Sequence, residues 1–277
     1  MKKIINIILP LLAIGVVAFF SYQAYKSASE LEKVNKEYYE TQSDIGKLVE
    51  IRFKSILKSI SFGALDEDEE QIKLQHLKAQ KIVLEEQAKI DIINLAIAVG
   101  ASLLLFFILS LDAYALMLAS ISLITLIFGV ITPILMIVIH KDIKYLGDVV
   151  LSFESKTIIS TISHLYHNGN YPIALVILLF SVIVPLLKSL SMLLIVIWKE
   201  FKIAQTLVKF FKHLGKWSMI DVFVVSLLLV YLSAGSSENS YSQIQNGTYI
   251  FLMYVIVSII TSIVVDRVLK KSSSQHA

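Results

Sequence analysis

The chain has 277 residues, of which 56% are hydrophobic and 17% charged, with a formal net charge of +3 and no cysteine. Soluble domains are about 45–50% apolar and about 25% charged, so this composition excludes a soluble enzyme, a nucleic-acid-binding domain and a disordered protein. The lack of cysteine excludes disulfides, thiolate metal sites and cysteine nucleophiles. Long apolar runs alternate with short charged stretches, which is typical of a multi-pass membrane protein.

Six apolar stretches are long enough to cross a bilayer, because about 20 residues at about 1.5 Å each span the hydrocarbon core. They are residues 4–22, 92–111, 114–138, 173–197, 218–234 and 248–265. The first is longer than the apolar core of a signal peptide and is interpreted as a retained anchor. A very tight turn at residues 112–113 is expected between the second and third spans. The predicted fold class is an all-α polytopic membrane protein with about six transmembrane helices.

Residues 26–91, between the first two spans, are polar with helical periodicity. Leu31, Val34 and Tyr38 recur at offsets of three and four. The acidic run at residues 66–70 indicates the start of a second helix, since carboxylates favour helix N-termini. An antiparallel helical hairpin is therefore predicted. It is either a spacer or oligomerisation stalk, or a docking or sensing module.

Orientation is predicted from the basic residues. The loop at residues 198–217 contains five lysines and one glutamate, and both chain ends are also basic. Residues 26–91 instead contain 11 basic and 14 acidic residues. Because cytoplasmic loops are enriched in Lys and Arg, both termini are predicted to be cytoplasmic and the hairpin extracytoplasmic.

The second extracytoplasmic loop covers residues 140–171. Its stretches 149–153 and 157–163 are rich in β-branched residues, which favour short strands. The sequence Asn-Gly-Asn at residues 168–170 predicts a turn before the fourth span. A small loop with short strands is therefore expected beside the hairpin.

Two ionisable residues, Lys188 and Asp221, lie inside apolar spans. A buried charge costs about 2.5–3.5 kcal/mol on insertion scales, so such residues usually pair or face water. Counted from the Trp residues that bracket the basic loop, their Cα depths are roughly 15 Å and 6 Å, and a lysine stem can extend across much of that difference. The two residues either staple two helices or line a polar cavity that handles a proton or a lipid headgroup.

The sequence gives little indication of any other functional site. His164 and His167 lie one helical turn apart but have no nearby third ligand, so they are interpreted as ordinary loop residues. The sequence contains no nucleotide-binding loop, zinc-protease motif or nucleophile elbow. The protein is not expected to be an enzyme, to need a cofactor or metal, or to bind nucleic acid.

The string GKWSMIDVFVV at residues 215–225, which includes Trp217, resembles the signature of the paraquat-inducible protein A family. Two further family-like strings precede it in the expected order. These are TPILM with Pro133, and YPIAL followed by VPLLK with Pro185. The resemblance covers about residues 114–268, or one four-helix module.

This resemblance implies an inner-membrane component of bacterial lipid trafficking across the envelope. Members of the family typically work with a periplasmic partner of the mammalian cell entry (MCE) family. Lys188, Ser218 and Asp221 match polar positions of the family motifs, and are the candidate residues of a transport cavity. The chain departs from the family pattern in having one module and no cysteine-rich zinc ribbon.

The chain is accordingly divided into five segments. They are an anchor helix (1–25), the hairpin (26–91), a second span and turn (92–113), the family-like module (114–268) and a tail (269–277). The leading functional hypothesis is lipid transport to or from an MCE-type partner, with proton coupling through Lys188 and Asp221. The alternatives are a sensory or scaffolding membrane protein that signals through a partner, and an intramembrane enzyme.

Overall fold

A computed structural model describes residues 2–43, 69–143, 147–197 and 240–275. Within these ranges, five helices are long and apolar enough to cross a membrane. They contain five of the six predicted spans, and the remaining one, residues 218–234, lies outside the described residues. The chain is thus a mainly helical polytopic membrane protein, and the predicted fold class is confirmed.

Helices α1 (Lys2–Ser43) and α2 (Glu69–Leu104) form an antiparallel pair, called the hairpin below. Each helix continues without a break from an apolar half into a polar half, so α1 runs through residue 25 and α2 through residue 91. Buried positions of α1 recur every three or four residues, at Pro10, Ala13, Val17, Ser21, Ala24, Ala28, Leu31, Asn35 and Tyr39. This spacing is the helical periodicity that the sequence predicts for the polar half.

The connection from the hairpin to the next span is a short 3₁₀ turn, Leu105–Phe107, followed by helix α3 (Leu111–Ile131). The side chain of Ser110 caps α3 by accepting from the Ala113 N–H at 3.4 Å, and the Ser110 N–H donates to Asn6 Oδ1 at 3.0 Å. The prediction of a turn at residues 112–113 is wrong. Asp112 lies in the first turn of α3, where a carboxylate is favoured by the helix dipole.

Helix α3 ends at Ile131 because Pro133 follows and disfavours helical geometry in the residue before it. The predicted span 114–138 was therefore too long, since its last residues belong to strand β1 (Leu135–Ile143). Strand β1 is the central strand of an antiparallel sheet, between β2 (Gly147–Lys156) and β3 (Ser240–Ile244). We call the side of the protein that carries this sheet the sheet end.

One predicted strand is present and the other is not. Residues 149–153 lie in β2, as predicted. Residues 157–163 instead belong to helix α4 (Ile158–His167). The reason is a reciprocal cap in which Thr157 and Ser160 bond each other's backbone N–H at 2.8–2.9 Å, which starts a helix despite the β-branched residues.

The fourth predicted span consists of helix α5 (Tyr171–Leu178), a π-helical turn (Leu179–Ile183) and helix α6 (Val184–Ile197). The turn before it contains Gly169 at φ 79°, a conformation that glycine adopts without strain. The last span is helix α7 (Asn246–Gln275). Helices α3 to α7 and the sheet are called the module below.

The closest helix contact in the module is between α3 and α7. A Cβ on Gly129 would lie 3.0 Å from the Phe251 Cα, so the two backbones approach as only a glycine permits. At the sheet end, the Gly247 N–H donates to the Pro133 carbonyl at 2.8 Å, and Thr248 Oγ1 donates to the Ile134 carbonyl at 2.8 Å. These contacts fix the register of α7 against α3.

Candidate functional site

Hydroxyl groups meet in the middle of the module. Ser122 of α3 and Ser189 of α6 are both buried, and their Oγ atoms lie 3.2 Å apart. Ser122 is the twelfth residue of a 21-residue helix, which places the contact at about half the depth of the span. A polar contact at this depth is surrounded by apolar side chains, since Met117, Leu118 and Ile121 are fully buried beside it.

Helix α7 brings a third serine to the same level. Gly129 and Phe251 are in contact, and seven residues further along each antiparallel helix are Ser122 and Ser258. Seven residues are about two turns, so both serines remain on the contacting faces. Ser262 Oγ lies 3.8 Å from Met192 Sδ, which sets the same level for α6. We call Ser122, Ser189 and Ser258 the serine layer.

The hydroxyls near this layer are not all satisfied in the same way. Thr125 donates to the Ile121 carbonyl at 2.8 Å, and Thr261 donates to the Val257 carbonyl at 2.7 Å. The Oγ atoms of Ser181 and Ser258 are buried and have no hydrogen-bond partner among the described residues. Since buried polar atoms are normally hydrogen-bonded, the interior of the module has spare capacity to bind a polar group.

Lys188 immediately precedes Ser189 on α6 and is only 9% exposed. The structure therefore places the backbone of Lys188 at the level of the serine layer, with its side chain largely shielded by the rest of the protein. Burial of an ammonium in the middle of a membrane is costly, and such residues usually mark an ion, proton or substrate pathway.

The helix that carries Lys188 is distorted one turn earlier. Pro185 has no N–H to donate, and the turn before it is π-helical, with the Val184 N–H bonded to the Leu179 carbonyl five residues back. Ser181 lies in this π turn and is 2% exposed. A single π turn inside an α-helix is frequent at functional sites, and here it precedes the lysine by one turn.

Pro133 has a structural position rather than a place beside the serine layer. It lies in the turn between α3 and β1, and its carbonyl is the acceptor for Gly247. Of the remaining predicted site residues, Ser218, Asp221 and Trp217 lie outside the described residues. The structure thus brings Lys188 and Pro185 to one region of the bundle and places Pro133 at its sheet end.

The serines and threonines of α3 and α7 are not among the site residues predicted from the sequence. Ser122 and Thr125 are three residues apart on α3, and Ser258 and Thr261 have the same spacing on α7. Paired small polar residues at this spacing in an apolar span were the available signal, because they occupy one helix face. Recognising their convergence needed the register of the two helices.

Two further polar features lie elsewhere. Asp91 is 7% exposed on α2, with its Oδ2 atom lacking a hydrogen-bond partner among the described residues. His164 and His167 lie on α4, where their ring nitrogens contact Asn168 Nδ2 at 2.9 Å and the Ser163 carbonyl at 2.8 Å. Within the described ranges, three potential metal ligands do not cluster anywhere.

Comparison with known proteins agrees with the resemblance in the sequence. The model of the paraquat-inducible protein A family matches residues 112–270, which is more than half of the chain. The intermembrane transport proteins PqiA of Escherichia coli and Shigella flexneri are each 27% identical over 139 residues. That alignment covers 47% of this chain and 33% of each relative, so the chain spans about a third of their length. No solved structure matches.

Proposed function

Because the chain belongs to the paraquat-inducible protein A family, we propose that it is the membrane subunit of a bacterial envelope lipid-transport system. It is a multi-pass inner-membrane protein that passes a phospholipid or another envelope lipid to or from an MCE-type periplasmic partner. The observation that carries this proposal is the serine layer with Lys188 beside it, buried in the module to which the family match applies.

A lipid-handling cavity needs polar groups that can exchange one partner for another. The serine layer provides hydroxyls that both donate and accept, and Ser258 has its Oγ atom available among the described residues. An ammonium on Lys188 is suited to a lipid phosphate. If it pairs with Asp221 of the neighbouring predicted span, the same group is suited to release and take up a proton, which would couple movement to an ion gradient.

The orientation in the membrane follows from the basic loop at residues 198–217. Both termini are cytoplasmic, and the sheet end faces the periplasm. In a chain without native cysteine, single cysteines at Ser59 and Ser236 react with an impermeant thiol reagent in intact cells, and one at Gln205 does not. Labelling at Gln205 from outside would reverse the orientation.

The site is tested by three variants, Lys188→Met, Asp221→Leu and the two combined. Removing one member of a buried pair leaves the other charge without compensation, which costs more than replacing both. Each single variant abolishes complementation in an outer-membrane integrity assay and lowers thermal stability in detergent. The double variant regains stability and stays inactive.

The matched control is Ser191→Ala, because Ser191 lies on the same helix but donates only to the Leu187 carbonyl of its own turn. This variant keeps its activity. If the double variant recovers activity together with stability, the pair is a structural staple. If both single variants are fully active, Lys188 and Asp221 have no part in transport.

A further inference from the structure

A groove of about 330 Å³ lies at the sheet end, where the hairpin meets the module. Helix α1 supplies one wall, strand β2 the second and helix α4 the third. The residues that matter are Glu32, Lys36, Phe153, Glu154, Lys156 and Ser160. The wall from α1 is held in place because Tyr39 stacks on Phe153, with ring centroids 5.0 Å apart.

One edge of the groove lies close to the end of α3. The Lys156 carbonyl accepts from the Ile134 N–H at 2.9 Å, only three residues beyond the end of α3. Helix α4 starts from this point and exposes Ile159 and Tyr166 on its outer side. A short helix with exposed aliphatic and aromatic residues is typical of the interface between lipid and water.

The charges in the groove are balanced. Glu32 and Glu154 offer two carboxylates, while Lys36 and Lys156 offer two ammonium groups. The Lys156 Nζ atom lies 2.8 Å from a carboxylate oxygen of Glu154. The Lys36 Nζ atom lies 3.8 Å from a carboxylate oxygen of Glu40, outside the groove. The Lys36–Glu40 pair is exposed, and such pairs contribute little, so Lys36 can turn readily to a ligand, while Lys156 is more sheltered at 23% exposure. A ligand with one charge of each sign is complementary to this arrangement, and a purely anionic one is not.

We propose that this groove binds the headgroup of a zwitterionic phospholipid, one that carries both a phosphate and a primary amine. Lys36 and Lys156 bind the phosphate, at the start of α4. Glu32 and Glu154 bind the amine, and Phe153 packs against the linking carbons. The volume is at the lower end of ligand pockets, which are about 300–1,000 Å³, and fits a headgroup.

This inference rests on the proposed function only in treating the bound lipid as transport cargo. Glu32 and Lys36 belong to the hairpin, and the family match begins at residue 112. The hairpin thus supplies half of a headgroup site to the module, which gives the segment outside the family match a role in lipid selection.

The test is lipid retention by the purified full-length protein in nanodiscs of equal phosphatidylethanolamine and phosphatidylglycerol, measured by native mass spectrometry. The variant Glu32→Gln with Lys36→Gln removes one charge of each sign, so the net charge is unchanged. The control is Lys26→Gln with Glu30→Gln, an exposed pair at 3.9 Å on the same helix and outside the groove. A second variant, Glu154→Gln with Lys156→Gln, alters the opposite wall.

The native protein and the control retain phosphatidylethanolamine preferentially, and both groove variants lose about tenfold of that preference, as expected when charged hydrogen bonds are removed. Equal retention of the two lipids by the native protein, or an unchanged preference in both groove variants, would overturn the proposal. So would competition by soluble phosphoethanolamine as effective as that by the lipid, since the ligand would then be a free small molecule. Failure of the transport proposal is seen separately, as normal complementation by Lys188→Met in the outer-membrane integrity assay, whatever the lipid preference of the groove variants.

Discussion

The helices of the hairpin and the helices of the module pack against one another through different residues. In the hairpin, the apolar halves bury alanines, aliphatic residues and the serines Ser21 and Ser102, and the polar halves meet through tyrosines and charged residues. In the module, α3, α6 and α7 meet through hydroxyl groups at mid-depth and through Gly129 at the closest approach. Both regions bury serines within apolar helices, but in the module the described serines of two different helices, Ser122 and Ser189, also contact each other at 3.2 Å.

A partly buried lysine of the hairpin and a buried lysine of the module have different surroundings. Lys81 of the hairpin donates to Tyr39 Oη at 2.7 Å, lies 4.6 Å from the centre of that ring, and is 3.9 Å from Glu85. These contacts suit a residue that joins α1 to α2. Lys188 instead lies at the serine layer, deep within a span. Lys81 therefore links two helices, while Lys188 is the residue to which we assign a part in the proposed transport.

The largest stability loss is expected from Gly247→Ala. A Cβ at this position would lie 2.4 Å from the Thr132 carbonyl and 2.6 Å from the Pro133 carbonyl, and backbone atoms cannot move aside cheaply. The cost exceeds the about 1–3 kcal/mol of ordinary overpacking, and the variant fails to give folded protein or melts far below the native chain in detergent. Gly100→Ala is the hairpin control, since nothing lies within 4 Å of its new Cβ. A native-like melting curve for Gly247→Ala would show that the α3–α7 junction is wrong.

The next largest effect is expected from Tyr39→Ala, which removes the contact between the hairpin and the sheet. Tyr39 is 7% exposed and packs with Val138 and Val150 as well as Phe153. Large aromatic residues cost about 3–5 kcal/mol when cut to alanine in a core, and guanidinium unfolding or thermal melting measures this. Tyr22→Ala, on the same helix but 54% exposed, is expected to change stability little. Equal losses in both variants would mean that the hairpin does not rest on the sheet.

A smaller effect is expected at the joint between the two regions. Ser110→Ala removes the cap of α3, which is worth about 1 kcal/mol. Ser110→Asn restores a capping side chain and recovers most of the loss in the same melting assay. If alanine and asparagine behave alike, the cap contributes nothing at this position.

The smallest effect is expected in the serine layer itself. Ser122→Ala, Ser189→Ala and the double variant form a cycle that isolates the hydroxyl contact at 3.2 Å. Hydrogen bonds between membrane helices average about 0.6 kcal/mol, so the coupling measured by equilibrium unfolding is of that size. A coupling well above about 2 kcal/mol would mean that the layer exists for stability.

The sequence predicted most of this architecture because hydropathy and helical periodicity report directly on burial in lipid. Five spans, the hairpin and strand β2 were recognised in that way. The helix boundaries were predicted less accurately, because helices begin at local caps. Ser110 caps α3, and the pair Thr157 and Ser160 caps α4, where the β-branched composition of the following residues favours a strand instead. The convergence of the serine layer was missed. The faces on which α3, α6 and α7 meet are set by Gly129 and by the contacts of Gly247, and no single span reveals these contacts.

The most direct test of the difference between hairpin and module is to measure lipid transfer per folded molecule for Lys188→Met and Lys81→Met, with the melting temperature of each. We predict that Lys188→Met lowers the rate of lipid transfer at least tenfold, while the folded fraction remains measurable. A tenfold change corresponds to a free-energy difference of about 1.4 kcal/mol. Lys81→Met lowers the melting temperature more and keeps its transfer per folded molecule. Native transfer by Lys188→Met, or transfer lost only in Lys81→Met, would contradict the assignment of transport to the module.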